Sequence, residues 1–188
     1  LLSEELADIG IQLIVLPSRK QPLWAKLAKE IVRGFLAWSG RLKRKAVFAI
    51  EMAWRIKPRA AVLQKLLSDE KFDLLYVNNQ PASNLEGYLA VENLNIPMVQ
   101  HCRCTPTLNA AEISILNRSN SPIICVSQGV ADVLKGYGLS GQRLRIVHNA
   151  IDSRMPLPEP VSPGCVADSI VIGTVGRLNE LKSVDHLI

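Results

Sequence analysis

No window of this 188-residue sequence approaches the roughly 18 consecutive apolar residues of a membrane-spanning helix, because charges interrupt every apolar stretch. Residues 1–10 lack the basic n-region and apolar h-region of a signal peptide and read instead as an acidic amphipathic helix. The first residue is Leu, and the expectation is a chain that begins inside a longer protein. The four cysteines, Cys102, Cys104, Cys125 and Cys165, form no dense even framework, and three lie in or beside apolar runs. Reduced thiols are therefore expected, as in a cytoplasmic protein. Cys102-Arg103-Cys104 beside His101 has no second pair at zinc-site spacing, so no metal site is expected there. The sequence also has no internal repeat and no low-complexity segment. What remains, 48% hydrophobic and 21% charged residues, is an ordinary globular composition, long enough for one domain or slightly more.

The formal charge of +5 is unevenly spread. Between Arg19 and Lys65 thirteen Lys and Arg side chains are opposed only by Glu30 and Glu51, and the rest of the chain is net acidic. Trp24, Leu27, Ile31, Phe35 and Trp38 recur at helical spacing through this basic stretch. One reading is a core-facing stripe with a solvated basic back. Another is a helix lying on an anionic membrane surface, the protein meeting the membrane peripherally through residues 19–65. Nucleic acid is not an expected partner, since the aromatic rings fall on the apolar face and not among the cations, where bases would stack.

Apolar runs and helical patterns alternate along the chain. A short apolar run at 11–16, closed by Pro17, has the length of a buried strand, and further strands are predicted at 74–77, 98–101, 123–126 and 144–147. Helices are predicted at 23–38, in two pieces at 41–57 and 60–67, and at 85–93, 108–117 and 129–137. Pro58 divides the two pieces, and Ser127 stands where the helix from 129 needs an N-cap. Apolar strands alternating with helices imply an α/β fold, a Rossmann-like parallel sheet with helices on both faces. Met155 to Gly164, "MPLPEPVSPG", carries four prolines in ten residues and reads as a stiff linker, with a new strand beyond it at 170–175. The expected organisation is a first domain over 1–152, a linker over 153–168 and the start of a second Rossmann-like domain over 169–188.

Open α/β sheets bind ligands at the carboxyl ends of their strands. In "IVIGTVGRLNELKSVDHLI", Gly176 turns the chain at such an edge. Arg177 and Lys182 flank the loop into a helix whose free N–H groups favour an anion, and together they suit a diphosphate. The bland reading is a pair of solvated surface charges. Asn78, Asn79 and Gln80 follow the strand at 74–77, where their amides could bond sugar hydroxyls, or simply form a polar turn ahead of Pro81. His101 ends the next strand, as a cleft residue or as a histidine satisfied at a strand end. Arg103 faces either an anionic acceptor or solvent. His148, Asn149 and Asp152 read as structural residues of a turn between domains.

Three segments, in order, resemble the family 4 glycosyltransferases of GT-B fold: "FDLLYVNNQPASNLEGYLAVENLNIPMVQHCR", "VSQGVADVLKGYGLSGQRLRIVHNAID" and "IGTVGRLNELKSVDHLI". The first resembles their strand-helix-strand unit ending in histidine, the second the end of their N-terminal domain, and the third the start of their donor domain. The resemblance covers most of the chain and is least specific in the basic stretch. It implies a retaining enzyme that moves a sugar from a nucleoside-diphosphate sugar to a hydroxyl on a saccharide or lipid-linked acceptor. Bacterial polysaccharide, lipopolysaccharide or glycolipid is the implied product class, made at the cytoplasmic side of the membrane. Arg177 and Lys182 inherit the diphosphate site with Gly176, and His101 the position near the transferred sugar. No cofactor or metal is implied, because the cationic pair offsets charge developing on the leaving group. Ala150 and Ser183 stand where the family has glycines. The family's glycine-rich first loop and its paired glutamates have no counterpart in these residues, so the resemblance implies an incomplete donor site. The rival readings are a non-catalytic lipid- or nucleic-acid-binding α/β module and another GT-B enzyme such as a nucleotide-sugar epimerase.

Overall fold

The computed structural model of the chain describes residues 2–17, 20–154 and 156. The chain divides into two units, Leu1–Asn149 and Ala150–Ile188. In the first, helices α1 (Leu2–Asp8), α2 (Leu23–Phe35), α3 (Gly40–Glu51) and α4 (Lys57–Glu70) precede strand β1 (Leu75–Asn78). Helix α5 (Leu85–Val91), β2 (Met98–Cys102), α6 (Ala110–Arg118), β3 (Ile123–Cys125), α7 (Gln128–Gly136) and β4 (Leu144–Ile146) then alternate. The four strands predicted between residues 74 and 147 are found within one residue of their expected bounds. They form one parallel sheet in the order β1-β2-β3-β4, the α/β Rossmann-like class expected.

With strands in sequence order, crossovers of the usual right hand place successive helices on one face. Strand alternation shows which face that is. Met98, Gln100, Cys102, Ile123, Cys125 and Leu144 are all buried, and pack with Leu85 and Tyr88 of α5, Ile115 and Leu116 of α6, and Val130, Ala131 and Leu134 of α7. Gly87 lets α5 approach: a Cβ there would stand 3.0 Å from Val77 Cγ1. The residues between them in sequence point the other way, where Val99, His101 and Ile124 are half-buried and Tyr76, Asn78 and Arg145 exposed. Among the described residues the core thus lies under one face of the sheet and the other face stays half-open.

Local signals set the helix ends. Ser127 caps α7 by accepting from Val130 N at 3.3 Å, as predicted. Asn109 and Glu112 form a reciprocal capping box on α6.

Two expectations are corrected. Residues 11–16 do not form a strand: they take no regular structure, with Val15 79% exposed, and Leu16 and Pro17 lie against Pro58, Arg59 and Val62 at the start of α4. An apolar run of strand length becomes a strand only when a neighbour takes its backbone hydrogen bonds, and among the described residues β1 pairs only with β2. Pro58 does not divide the helix either. A π-helical stretch, Met52–Ile56, joins α3 to α4, with Lys57 N–H donating to Met52 O. The wider turn takes up the place where the proline ring would strike a carbonyl and where its missing N–H would leave one unpaired.

Helices α2 and α3 form an antiparallel hairpin fastened by charge. Glu51 pairs with Lys29 and accepts from Arg55 Nε at 2.9 Å, while Arg55 Nη1 donates to Glu86 on α5 at 3.0 Å. Lys29 Nζ also stands 5.5 Å from the centre of the Trp54 ring. Burial alone would push the Glu51 carboxyl up, but the two cations outweigh it and hold the group below its ordinary value.

Candidate functional site

Parallel pairing brings the carboxyl ends of the strands to one edge, and β1 and β2 are in register there, with Asn78 opposite His101. The chain turns sharply after β1. Asn79 sits in the left-handed region at φ 94°, and its N–H donates to Asn78 Oδ1 at 2.9 Å. Of the common residues, asparagine is among those that tolerate this conformation best after glycine. Asn78 and Asn79 are exposed, and Gln80 is half-buried ahead of the buried Pro81. The asparagines therefore reach solvent at the strand ends, while Gln80 leads into the structural turn.

Beneath this turn lies a buried amide. Gln100 is fully buried; its Nε2 donates to Asn79 O at 2.8 Å and His101 O at 3.0 Å, and its Oε1 accepts from Asn84 Nδ2 at 3.1 Å. Asn84 Nδ2 also donates to Asn78 O at 2.9 Å. Reversing the Gln100 amide would set its oxygen against two carbonyls, so the network fixes one orientation. The turn carrying Asn78 and Asn79 is thereby tied to both β2 and the start of α5.

His101 stands on the half-open face. Its Nδ1 shares a hydrogen bond with the Tyr76 hydroxyl, and the rings meet edge to face at 6.0 Å between centres. Nε2 is buried and has no partner among the described residues. Where the phenol donates to Nδ1, the imidazole proton sits on Nε2, which then presents a donor with nothing to receive it. A buried, unpaired polar atom is costly, and this one belongs to a ring held by its other nitrogen at the sheet's carboxyl edge.

The neighbouring cysteines differ. Burial pushes the Cys102 thiol up to about 12, the largest of its perturbations, so it stays protonated and inert. Cys104 is exposed and lies 4.0 Å from Asn79 Oδ1. Arg103 between them is exposed with no ion-pair partner among the described residues. Among the described residues no group of three or more His, Cys, Asp or Glu side chains is placed to hold a metal ion.

Asn78, Asn79, His101 and Arg103 are thus near one edge, with Gln80 turned toward the fold. Gly176, Arg177 and Lys182 lie outside the described residues, as do the strand at 170–175, Cys165 and nearly all of the linker. In the second unit, Asp152 accepts from Arg154 N at 3.0 Å and Arg154 Nε at 3.1 Å, and this guanidinium bond holds its carboxyl below the ordinary value. Three residues of the edge escaped sequence reasoning: Tyr76, Asn84 and Gln100. Gln100 was findable, because a polar residue two places from Met98 and two from Cys102 shares their buried face and needs partners.

The larger described cavity, about 350 Å³, lies elsewhere. It opens beside Pro97 and Pro122, which lead into β2 and β3, and contains none of the predicted site residues. Tyr88 lines it with a buried hydroxyl that has no hydrogen-bond partner among the described residues, and burial holds that phenol protonated far above its usual range. The carboxyl edge is where parallel sheets gather chemically active side chains, and we place the site there.

The parallel sheet with helices between its strands places the chain among the Rossmann-like α/β proteins. Within it, residues 1–154 match the family model described as Glycosyltransferase Family 4. The chain belongs to that family and carries a glycosyltransferase domain. No curated protein and no solved structure matches it.

Proposed function

We propose that this chain supplies the acceptor side of a retaining glycosyltransferase that uses a nucleoside-diphosphate sugar. The bond from the anomeric carbon to the diphosphate oxygen breaks, a bond from that carbon to the acceptor oxygen forms, and the acceptor proton leaves with the diphosphate. Arg177 and Lys182, following the turn at Gly176, offset the charge that gathers on the leaving group, with no metal required. His101 directs Nε2 toward the transferred sugar. Asn78 and Asn79 bond hydroxyls of a saccharide or lipid-linked acceptor, and Arg103 meets an anionic group on it. The product class is a bacterial surface polysaccharide, lipopolysaccharide or glycolipid, made on the cytoplasmic side of the membrane.

The observation that carries this reading is the unpartnered Nε2 of His101, held through Nδ1 by Tyr76 at the carboxyl edge of a family 4 domain. The test is a titration of uridine and guanosine diphosphates into the full-length protein and its Arg177→Ala and Lys182→Ala variants. The expected result is weaker affinity for one nucleotide in both variants, by on the order of tenfold for each lost charge-assisted contact. Unchanged affinity in both would overturn the assignment.

A further inference from the structure

The stripe along α2 faces outward. Its inward side is made of small or short residues: Ala25 is fully buried and Ala28 and Val32 half-buried. The large side chains point away from the fold, with Leu23 83% and Phe35 and Trp38 each 78% exposed, and Trp24, Leu27 and Ile31 at least half exposed. Water is a poor environment for six such groups in one patch. The core-facing reading of this stripe does not hold in the structure.

The exposed charges of the hairpin and of the segment before it bear on what covers the patch. Lys20, Lys26, Arg41, Arg44 and Lys45 are exposed and have no ion-pair partner among the described residues. The exposed acid of the hairpin, Glu30, is taken by Arg33 at 2.6 Å. A second copy docking patch to patch would bring these cations against their own kind. An acidic lipid surface satisfies both features, taking the apolar side chains into its headgroup boundary and the cations onto its phosphates.

Geometry agrees with a helix lying in the surface. Thirteen residues rise about 20 Å, short of the roughly 30 Å of a hydrocarbon core. No helix among the described residues is long and apolar enough to cross a membrane. Trp38 donates its indole N–H to Phe35 O at 3.1 Å, so its ring enters an apolar boundary without stranding a donor.

We propose that the α2–α3 hairpin is a membrane-docking surface for an anionic lipid leaflet, with Leu23, Trp24, Leu27, Ile31, Phe35 and Trp38 inserting and Lys20, Lys26, Arg41, Arg44 and Lys45 reading the headgroups. The ion pairs from Lys29 through Glu51 and Arg55 to Glu86 tie that surface to α5, whose N-cap Asn84 holds the turn after β1.

The test is co-sedimentation of the full chain with vesicles of phosphatidylcholine alone and with roughly one third phosphatidylglycerol. Tryptophan emission and quenching by brominated acyl chains are read on the same samples. The expected result is binding to the anionic vesicles, with a blue shift and quenching. Arg41→Gln with Arg44→Gln should weaken binding about thirtyfold, since each basic residue near the surface contributes about 1 kcal/mol. Leu27→Ser with Ile31→Ser should abolish the quenching at unchanged circular dichroism. Equal binding to both vesicle types, no binding to either, or full quenching in the serine variant overturns the proposal. So does a lipid-free dimer that the serine variant dissociates, which would assign the patch to a second copy. Vesicle binding is read without any transfer assay, so its outcome is separate from that of the glycosyltransferase reading.

Discussion

The α2–α3 hairpin and the β1–β4 sheet spend their apolar side chains in opposite directions. In the sheet unit, Leu85, Leu116, Ile123 and Leu134 are sealed between strands and helices, and the buried amide of Gln100 is bonded through both its nitrogen and its oxygen. In the hairpin, the large apolar groups face out and the fastening is done by ion pairs around Glu51. The sheet unit derives its stability from burial. The hairpin's exposed stripe contributes little to folding and remains free for another surface.

That contrast can be broken in order of expected effect. The largest is chemical: His101→Ala should lower sugar transfer by on the order of a hundredfold while thermal stability changes little, because the ring is half-buried and makes one hydrogen bond. Next is the same truncation in both regions. Leu134→Ala should cost about 2–5 kcal/mol in urea unfolding, and Leu27→Ala less than about 0.5 kcal/mol. Similar losses at the two sites would mean that the hairpin patch is buried after all.

Smaller is the buried amide. Gln100→Leu removes the donor to Asn79 O and His101 O and one of the two acceptors of Asn84 Nδ2, and should cost about 1–3 kcal/mol, with faster amide exchange in the turn after β1.

The smallest effect is the pH dependence of the hairpin. Glu51 has a depressed folded value, so its stabilisation is present above the ordinary carboxylate value and is lost as pH falls through the depressed one. Glu51→Gln should flatten the acid limb of stability by about 1 kcal/mol or less. A steeper acid limb in the variant would contradict the ion-pair account.

Much of the sheet could be read from the sequence because its signals are local. Apolar runs ending at Val77, His101, Val126 and Val147, each followed by a turn or a cap such as Ser127, fix strand and helix positions with little help from the rest of the fold. What could not be read depends on neighbours. Residues 11–16 have a strand's composition but, among the described residues, no strand beside them, and periodicity cannot supply one. Pro58 breaks a regular α-helix, yet one π turn lets the helix run on. The stripe on α2 is plain in sequence, but only packing reveals that Ala25, Ala28 and Val32, and not Trp24 or Phe35, face the fold. At the site, His101 was visible from its strand position and family motif, whereas its partner Tyr76 comes from a neighbouring strand whose register a single chain pattern does not contain.

The most direct test of the site compares two histidines. Transfer from a nucleoside-diphosphate sugar should be measured in the full-length protein carrying His101→Ala or His148→Ala, with folding checked by circular dichroism. The account predicts that His101→Ala loses transfer while His148→Ala keeps most of it, because only His101 is held at the carboxyl edge by Tyr76. Transfer retained by His101→Ala, or lost equally in both, would contradict it.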